Sequence, residues 1–265
     1  MRNLHKSYYK DYFKDLDFGF LLKSGREPTI EIKRRNRELT KPNLLQVIPK
    51  NSLVNQSFEL KIDYPGLVTG VGINHEAKIE GEFKLGVHFD WTYGMPIIYG
   101  SSVKGVLRNA FIDEEKNGKI KKYEKYFLNR VIERKWEQKE IETLFNAIFE
   151  GKDEDGNSKS IYERDIFFDA VIVEPDKKDR ILCSDSITPH TKGPLKNPIP
   201  ITFLKIAPGC TLEFRFKLVD TEIGDLKFSK EDKLELFKEI LTTVGIGAKT
   251  NVGYGQMRDV NGGTK

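Results

Sequence analysis

Apolar positions along the chain predict an alternation of strands and helices. Phe58-Glu59-Leu60-Lys61-Ile62-Asp63-Tyr64 alternates apolar and polar side chains, the period of a half-buried strand. Phe83, Leu85, Val87 and Phe89 repeat the pattern in a second extended piece, and Gly66, Gly70 and Gly72 mark a sharply turning loop between the two. From Gly100 the period changes. Val103, Val106, Leu107, Ala110 and Phe111 fall at offsets of three and four, one buried face of a helix that opens at Gly100-Ser101-Ser102 with a serine as the expected N-cap. Lys104 and Arg108, four apart, occupy another face. Ile166 to Val173 reads as a near-continuous apolar strand and Ile201 to Ile206 as another. Leu212, Phe214, Phe216 and Leu218 alternate with Glu213, Arg215 and Lys217 in a one-sided strand, and Pro208-Gly209 predicts that the last two strands pair as a hairpin. Ser229 caps a final helix whose stripe is Leu234, Phe237, Ile240, Leu241 and Val244, and Gly245 stops it. A glycine-rich loop follows, and a short strand from Gln256 to Val260 closes the chain.

Residues 113–163 differ in composition, being dense in Lys, Glu and Asn. Tyr123, Tyr126 and Phe127 predict one amphipathic helix there. Ile141, Leu144, Phe145, Ile148 and Phe149 predict a second, ended by Gly151 and followed by a flexible loop over 152–158. With this helical insertion set aside, the order is strand, helix, strand, hairpin partner, helix, strand. That β-α-β-β-α-β succession is an α+β, ferredoxin-like (RRM-like) arrangement, and it makes residues 1–265 a single domain with an N-terminal extension over 1–50. In the extension, Tyr8, Tyr9, Tyr12 and Phe13 suggest a short aromatic-faced helix. The run Lys33-Arg34-Arg35-Asn36-Arg37 reads as a solvated face or loop, or else as a contact to an RNA backbone.

Charge changes the picture little: 44 basic against 40 acidic residues leave a net +4, so any nucleic-acid site must be a local patch. Cys183 and Cys210 form no C-x-x-C pair, which disfavours zinc and redox sites and fits a reduced, cytoplasmic setting. The first residues lack the apolar core of a signal peptide, and no stretch of about 18 apolar residues predicts a membrane span.

Two segments carry candidate chemistry. The loop Gly245-Ile246-Gly247-Ala248-Lys249-Thr250-Asn251-Val252-Gly253-Tyr254-Gly255 is not a Walker A loop, because Ala248 precedes the lysine and Thr243 holds the place of the first glycine. It is not a dinucleotide fingerprint either, since Thr250 replaces the third glycine and a helix precedes it. Backbone N–H groups around Gly247, the Lys249 cation and the donors of Thr250 and Asn251 suit a phosphodiester backbone, and a tight structural turn is the plain alternative. The second segment runs from Gly100 to Arg108. A helix N-terminus with Ser101 and Ser102, plus Lys104 and Arg108, is a phosphate-facing device, or simply a capped amphipathic helix. His190, in the proline-rich stretch Thr188–Pro198, could act as a general base, stack on a base or merely pack. His5, His75 and His88 suggest neither a metal site nor a catalytic pair. Asp63, Asp90 and Asp169 read as ordinary strand-end residues, and Trp91 and Tyr93 as core packing with base stacking as the alternative.

Together these segments resemble the RAMP proteins of CRISPR systems. Gly100-Ser101-Ser102-Val103-Lys104-Gly105-Val106-Leu107-Arg108 is similar to the G-S-S-[IL]-K-G-x-L-R start of their first helix, and the loop from Gly245 to Gly255 to their C-terminal glycine-rich loop. Thr188-Pro189-His190 followed by Asn197-Pro198-Ile199-Pro200-Ile201-x-Phe203-Leu204 resembles the signature of the sixth, terminal RAMP subunit of the type III-B Cmr effector complex. Tyr93-Gly94-Met95-Pro96 also fits, with Tyr93 and Met95 departing from the commonest residues. The resemblance runs from about residue 58 to 260. It implies a ferredoxin-like core, CRISPR RNA as ligand and a place at one end of the RAMP filament near the RNA's 3′ end. It implies contacts with the backbone RAMP subunit, the terminal RAMP subunit and the small helical subunit, and with target RNA indirectly. It implies no catalytic residue, metal or cofactor, since target cleavage belongs to the repeated backbone subunit. Expected RNA ligands are Ser101, Ser102, Lys104, Arg108, His190, Lys192, Gly247, Lys249, Thr250 and Asn251. The rival reading is a RAMP endoribonuclease that processes CRISPR RNA with His190 as base. A third is a purely architectural subunit.

Overall fold

The computed structural model describes residues 2–16, 19, 26–43, 48–69, 71–72, 79–83, 85–111, 114–116, 119–121, 124–188 and 200–260. In chain order the elements are helices α1 (Leu4–Tyr9) and α2 (Arg26–Leu39), then strands β1 (Gln56–Ile62), β2 (Val71–Gly72), β3 (Leu85–Gly86) and β4 (Ile97–Ile98). Helix α3 (Gly100–Asn109), strands β5 (Glu114–Lys116) and β6 (Lys119–Lys121), and helices α4 (Glu124–Val131) and α5 (Gln138–Phe145) follow. The remainder comprises β7 (Ile166–Phe167), β8 (Ala170–Glu174), β9 (Leu182–Ile187), β10 (Ile201–Ile206), β11 (Thr211–Lys217), β12 (Thr221–Ile223), β13 (Leu226–Phe228), helix α6 (Lys230–Val244) and β14 (Met257–Asp259).

The main sheet has the strand order β14-β1-β11-β8-β4, with β7 also paired to β11, and its pairings are antiparallel. Elements β1, α3, β8, β11, α6 and β14 follow one another in that order along the chain, and these four strands lie fourth, first, third, second across the sheet. Alternation sets which face is buried. Leu60 and Ile62 of β1 and Leu212, Phe214 and Phe216 of β11 join Val103 and Leu107 of α3 and Leu236, Phe237 and Ile240 of α6 in one cluster. The Phe237 ring lies 5.3 Å from Phe216 and 5.6 Å from Phe167. Each such side chain contributes about 1.5–3 kcal/mol by leaving water.

Several expectations change. Residues 201–206 and 212–218 do not form a hairpin. β10 pairs with β9, register Ile201↔Ile187 to Ile206↔Leu182, whereas β11 pairs with β1, β8 and β7. The reason is the turn at Pro208-Gly209: Ala207 N–H donates to Ile181 O and Gly209 N–H to Ile62 O (2.9 and 2.8 Å), so the chain passes from one sheet to the other instead of folding back. The apolar run 166–173 is two strands, because Asp169 leaves the ladder to accept the Gly100 N–H at 2.7 Å. Residues 152–158 are no loose loop but a turn closed by a Lys152↔Ser158 bridge and by Asp153 accepting the Asn157 N–H. Nor is β11 one-sided: Arg215 is buried, donating to Pro49 O at 2.6 Å and paired with Glu213 at 2.5 Å.

The extension and the insertion share the core. Tyr8 and Tyr12 pack against Phe89 and Phe83, and the basic run lies within α2, where Arg35 bonds Glu31 and the carbonyl of Tyr12. In the insertion, Leu128 and Leu144 are buried with the main cluster, and Phe149 stacks on Phe167 at 6.0 Å.

Helix α6 begins at Ser229, the expected cap, which forms a reciprocal capping box with Asp232. One position breaks its apolar stripe. Lys233 is fully buried and donates to Asp165 Oδ2 at 2.6 Å and Val219 O at 2.7 Å, while Asp165 Oδ1 accepts the Val219 N–H at 2.9 Å. Burial lowers the lysine's proton affinity and raises that of the carboxyl, each opposed by its partner's charge. Lys233→Met alone strands the carboxylate and should cost about 3–5 kcal/mol in urea unfolding, whereas Lys233→Met with Asp165→Leu should recover most of that loss. A single variant as stable as the parent would contradict this pairing.

Candidate nucleic-acid interface

The glycine loop is built by close backbone approach. Ala248 N–H donates to Val68 O at 2.7 Å, Gly255 N–H to Gly66 O at 2.8 Å and Ile246 N–H to Gly255 O at 3.0 Å, while Leu67 and Ile206 exchange a pair of bonds at 3.1 and 2.9 Å. Gly247 (φ +95°) and Gly255 (φ +70°) lie in the left-handed region, and a Cβ would collide with Val68 O at the first and Ile246 O at the second. Val252, Gly253 and Tyr254 N–H groups close a one-turn 3₁₀ helix onto the carbonyls of Lys249 and Thr250. The loop therefore presents fewer free donors than its composition implies: most of its amides are engaged internally. Those of Gly247, Lys249, Thr250 and Asn251 find no acceptor among the described residues.

Tyr254 anchors the far end. Its hydroxyl donates to Asp185 Oδ2 at 2.8 Å, Lys205 pairs with the same carboxylate, and the Lys205 ammonium lies 5.3 Å from the Tyr254 ring centroid. Burial would raise the Asp185 carboxyl, but the bonds from Lys205 and Tyr254 outweigh it and hold the group below its ordinary value. Burial and the neighbouring carboxylate push the Tyr254 phenol up to about 12. The loop is thus pinned to β9 and β10. Lys249 has no carboxylate partner among the described residues.

Between this loop and the first turns of α3 lies an open cleft of about 340 Å³, lined by Leu67, Thr69, His88, Ser102, Val106 and Gly247, among others. The two motifs separated by some 140 residues meet here. Their parts divide unevenly. Ser102 lines the cleft and Ser101 is exposed beside it. The helix cap differs from expectation: Tyr99 is the N-cap, and Asp169 supplies the capping acceptor to Gly100 in place of a serine. Lys104 and Arg108 lie two and six residues beyond Ser102, which turns them to the far side of the helix. There Lys104 stands 5.9 Å from the Phe167 ring centroid, and Arg108 pairs with Glu150 at 2.9 Å over Phe145. His190 and Lys192 lie outside the described residues.

The cleft also contains groups that sequence spacing did not flag. His88 packs on Tyr99 with ring centroids 4.4 Å apart, and its backbone N–H donates to Thr69 Oγ1 at 3.1 Å. The alternation of Phe83, Leu85, Val87 and Phe89 was the available signal, since it turns the intervening His88 away from the core. The separate carboxylates are structural: Asp90 accepts the Thr92 and Tyr93 N–H groups, and Asp63 pairs with Arg258. Tyr93 packs against the core as expected, but Trp91 is 78% exposed, contrary to the core reading.

A family model, the RAMP superfamily, matches residues 59–258. No curated protein matches the chain. Among solved structures, the chain is similar to one in the cryo-EM structure of the type III-B Cmr-β bound to cognate target RNA, with 22% identity and a TM-score of 0.47. That match covers 77% of this chain and 57% of the other, so the chain spans little more than half the length of that neighbour. It is also similar to the crystal structure of Cmr6 from Pyrococcus furiosus, with 21% identity and a TM-score of 0.46, covering 79% of this chain and 99% of that one.

Burial lowers the basicity of His88 below the ordinary value of 6.5. The unfolded chain takes up this proton near that value while the folded protein resists it, so stability should fall as pH drops below 6.5. The ring should titrate below 6.5 by NMR, and His88→Gln should remove its share of the acid destabilisation. A midpoint above 6.5 would contradict a desolvated ring in the cleft wall.

Proposed function

Because the chain belongs to the RAMP superfamily, we propose that it is a non-catalytic, CRISPR RNA-binding subunit of a type III-B Cmr effector complex, capping the RAMP filament near the RNA's 3′ end. The observation that carries the binding reading is the meeting of Ser102 and Gly247 across one open cleft, beside loop amides and a Lys249 ammonium that have no partner among the described residues. Hydroxyl and amide donors in a cleft with no acidic residue among its described lining, next to the Lys249 ammonium, suit phosphate oxygens and carry no base code, so recognition is of the backbone. The fourth-first-third-second strand order, with α3 and α6 packed in one cluster with β1 and β11, supports a ferredoxin-like core. The terminal position and the neighbours (backbone RAMP subunit, terminal RAMP subunit, small helical subunit) rest on the residues around Thr188 and Asn197 that resemble the sixth Cmr subunit.

The test is to incubate the purified chain with end-labelled CRISPR RNA carrying its repeat tag and to run native and denaturing gels. The RNA should shift intact. Lys249→Gln should weaken binding about tenfold, or about 1.4 kcal/mol, and reduce the slope of log affinity against log salt by about one. Cutting at a fixed position that His190→Ala abolishes would make the protein a processing nuclease instead. Unchanged RNA affinity in the Lys249 variant with failed assembly would make it an architectural subunit.

A further inference from the structure

Trp91 is 78% exposed, although an indole is among the side chains that gain most from burial. Its position is fixed. Asp90 N–H donates to Met95 O at 2.9 Å and Gly94 N–H to Asp90 O at 3.0 Å, while Asp90 Oδ1 accepts the Thr92 and Tyr93 N–H groups at 2.7 and 2.8 Å. Helix α1 docks end-on to this turn: the Leu4 and His5 N–H groups donate to Gly94 O at 2.9 and 3.0 Å, and Asn3 caps the helix through Lys6 N–H. The result is a row of rings. His5 lies 4.7 Å from Trp91 and 4.7 Å from Tyr9, which is 43% exposed. Burial raises the Tyr9 phenol above its ordinary value, and the neighbouring Tyr99 adds to that rise. Tyr99 packs on His88, and His88 lines the cleft. Lys6 and Lys10 lie exposed on the adjoining face of α1.

We infer that this row, Trp91–His5–Tyr9 continuing through Tyr99 to His88, is a base-stacking track for single-stranded RNA leaving the cleft, with Trp91 as its outer platform. The inference rests on the RNA-binding reading above and adds the surface on which the bases lie. A row one ring wide, flanked by lysines and continuous with a backbone-gripping cleft, fits a strand whose bases face one way and whose phosphates face the other. Stacking of this kind tolerates any base, because every base has a π-face.

The probe is an unstructured single-stranded RNA, titrated into the full chain by fluorescence anisotropy, alongside an oligonucleotide of equal length in which the bases are replaced by abasic sites. Trp91→Ala should weaken RNA binding roughly 5- to 100-fold with an unchanged salt slope, and Trp91→Phe should restore most of it. The abasic strand should bind the parent and Trp91→Ala alike. The chain has two tryptophans, and Trp136 is buried, so RNA should quench the exposed Trp91 emission while the abasic strand leaves it unchanged. Tight RNA binding with Trp91→Ala equal to the parent and emission unmoved would overturn the track while leaving the cleft reading intact. Failure of both strands to bind the parent would instead sink the RNA reading itself. Emission that responds to added Cmr subunits and not to RNA would assign the surface to a protein partner and overturn the track.

Discussion

The arrangement depends on a junction where three stretches of main chain touch without side chains between them. Residues 66–68 after β1, Ile206 at the end of β10 and the loop from Gly245 to Gly255 exchange backbone hydrogen bonds across distances that leave no room for a Cβ at Gly247 or Gly255. The main sheet, the β9–β10 pair and the end of α6 are all fixed relative to one another through this contact. Glycine is required there for two reasons that coincide, the left-handed backbone and the approaching carbonyl oxygen. A side chain at either position would push the loop off the sheet and open the cleft that the loop forms with α3.

The junction also sets which groups face outward. Main-chain polar groups away from water must be paired, so the loop's amides are used in holding the junction. Those with no acceptor among the described residues cluster near Lys249, itself in a left-handed conformation at φ 62°. Tyr254 and Lys205 then neutralise Asp185, which removes a carboxylate that would otherwise repel an anion near the loop. Donor supply is therefore concentrated on one side of the loop by the requirement to satisfy the other side.

The extension completes a surface and is not an appendage. α1 caps the turn at residues 90–95, and their union brings His5 against Trp91 beside the segment leading into α3. The insertion acts on the other side. Glu150 and Phe145 engage Arg108, so the cation on the far face of α3 is paired although it stays half-exposed. One helix thus carries a wall of the cleft on one side and a packing face on the other, a division set by the 3.6-residue period.

Local sequence determined the parts whose reasons are local. The strand at 56–62, the helix from Gly100, the Ser229 capping box, the Gly245 stop and the helical character of 124–149 follow from periodicity, capping and chain reversal, which neighbouring residues settle among themselves. Tertiary structure decided the rest, because pairing partners compete over distances that periodicity does not encode. It gave β10 to β9 instead of β11, since the polar run Ser184–Ser186 does not read as a strand until Thr202, Phe203 and Leu204 lie opposite. It replaced a serine cap by Asp169 from beside the neighbouring strand β8 and buried Lys233 in an apolar stripe because Asp165 waited there. It split Ser102 from Arg108 and left Trp91 exposed. In the candidate site, the residue types that suit phosphate were legible from composition alone. Which of them share a cleft was not, because that depends on two segments some 140 residues apart meeting through a backbone contact that only folding makes.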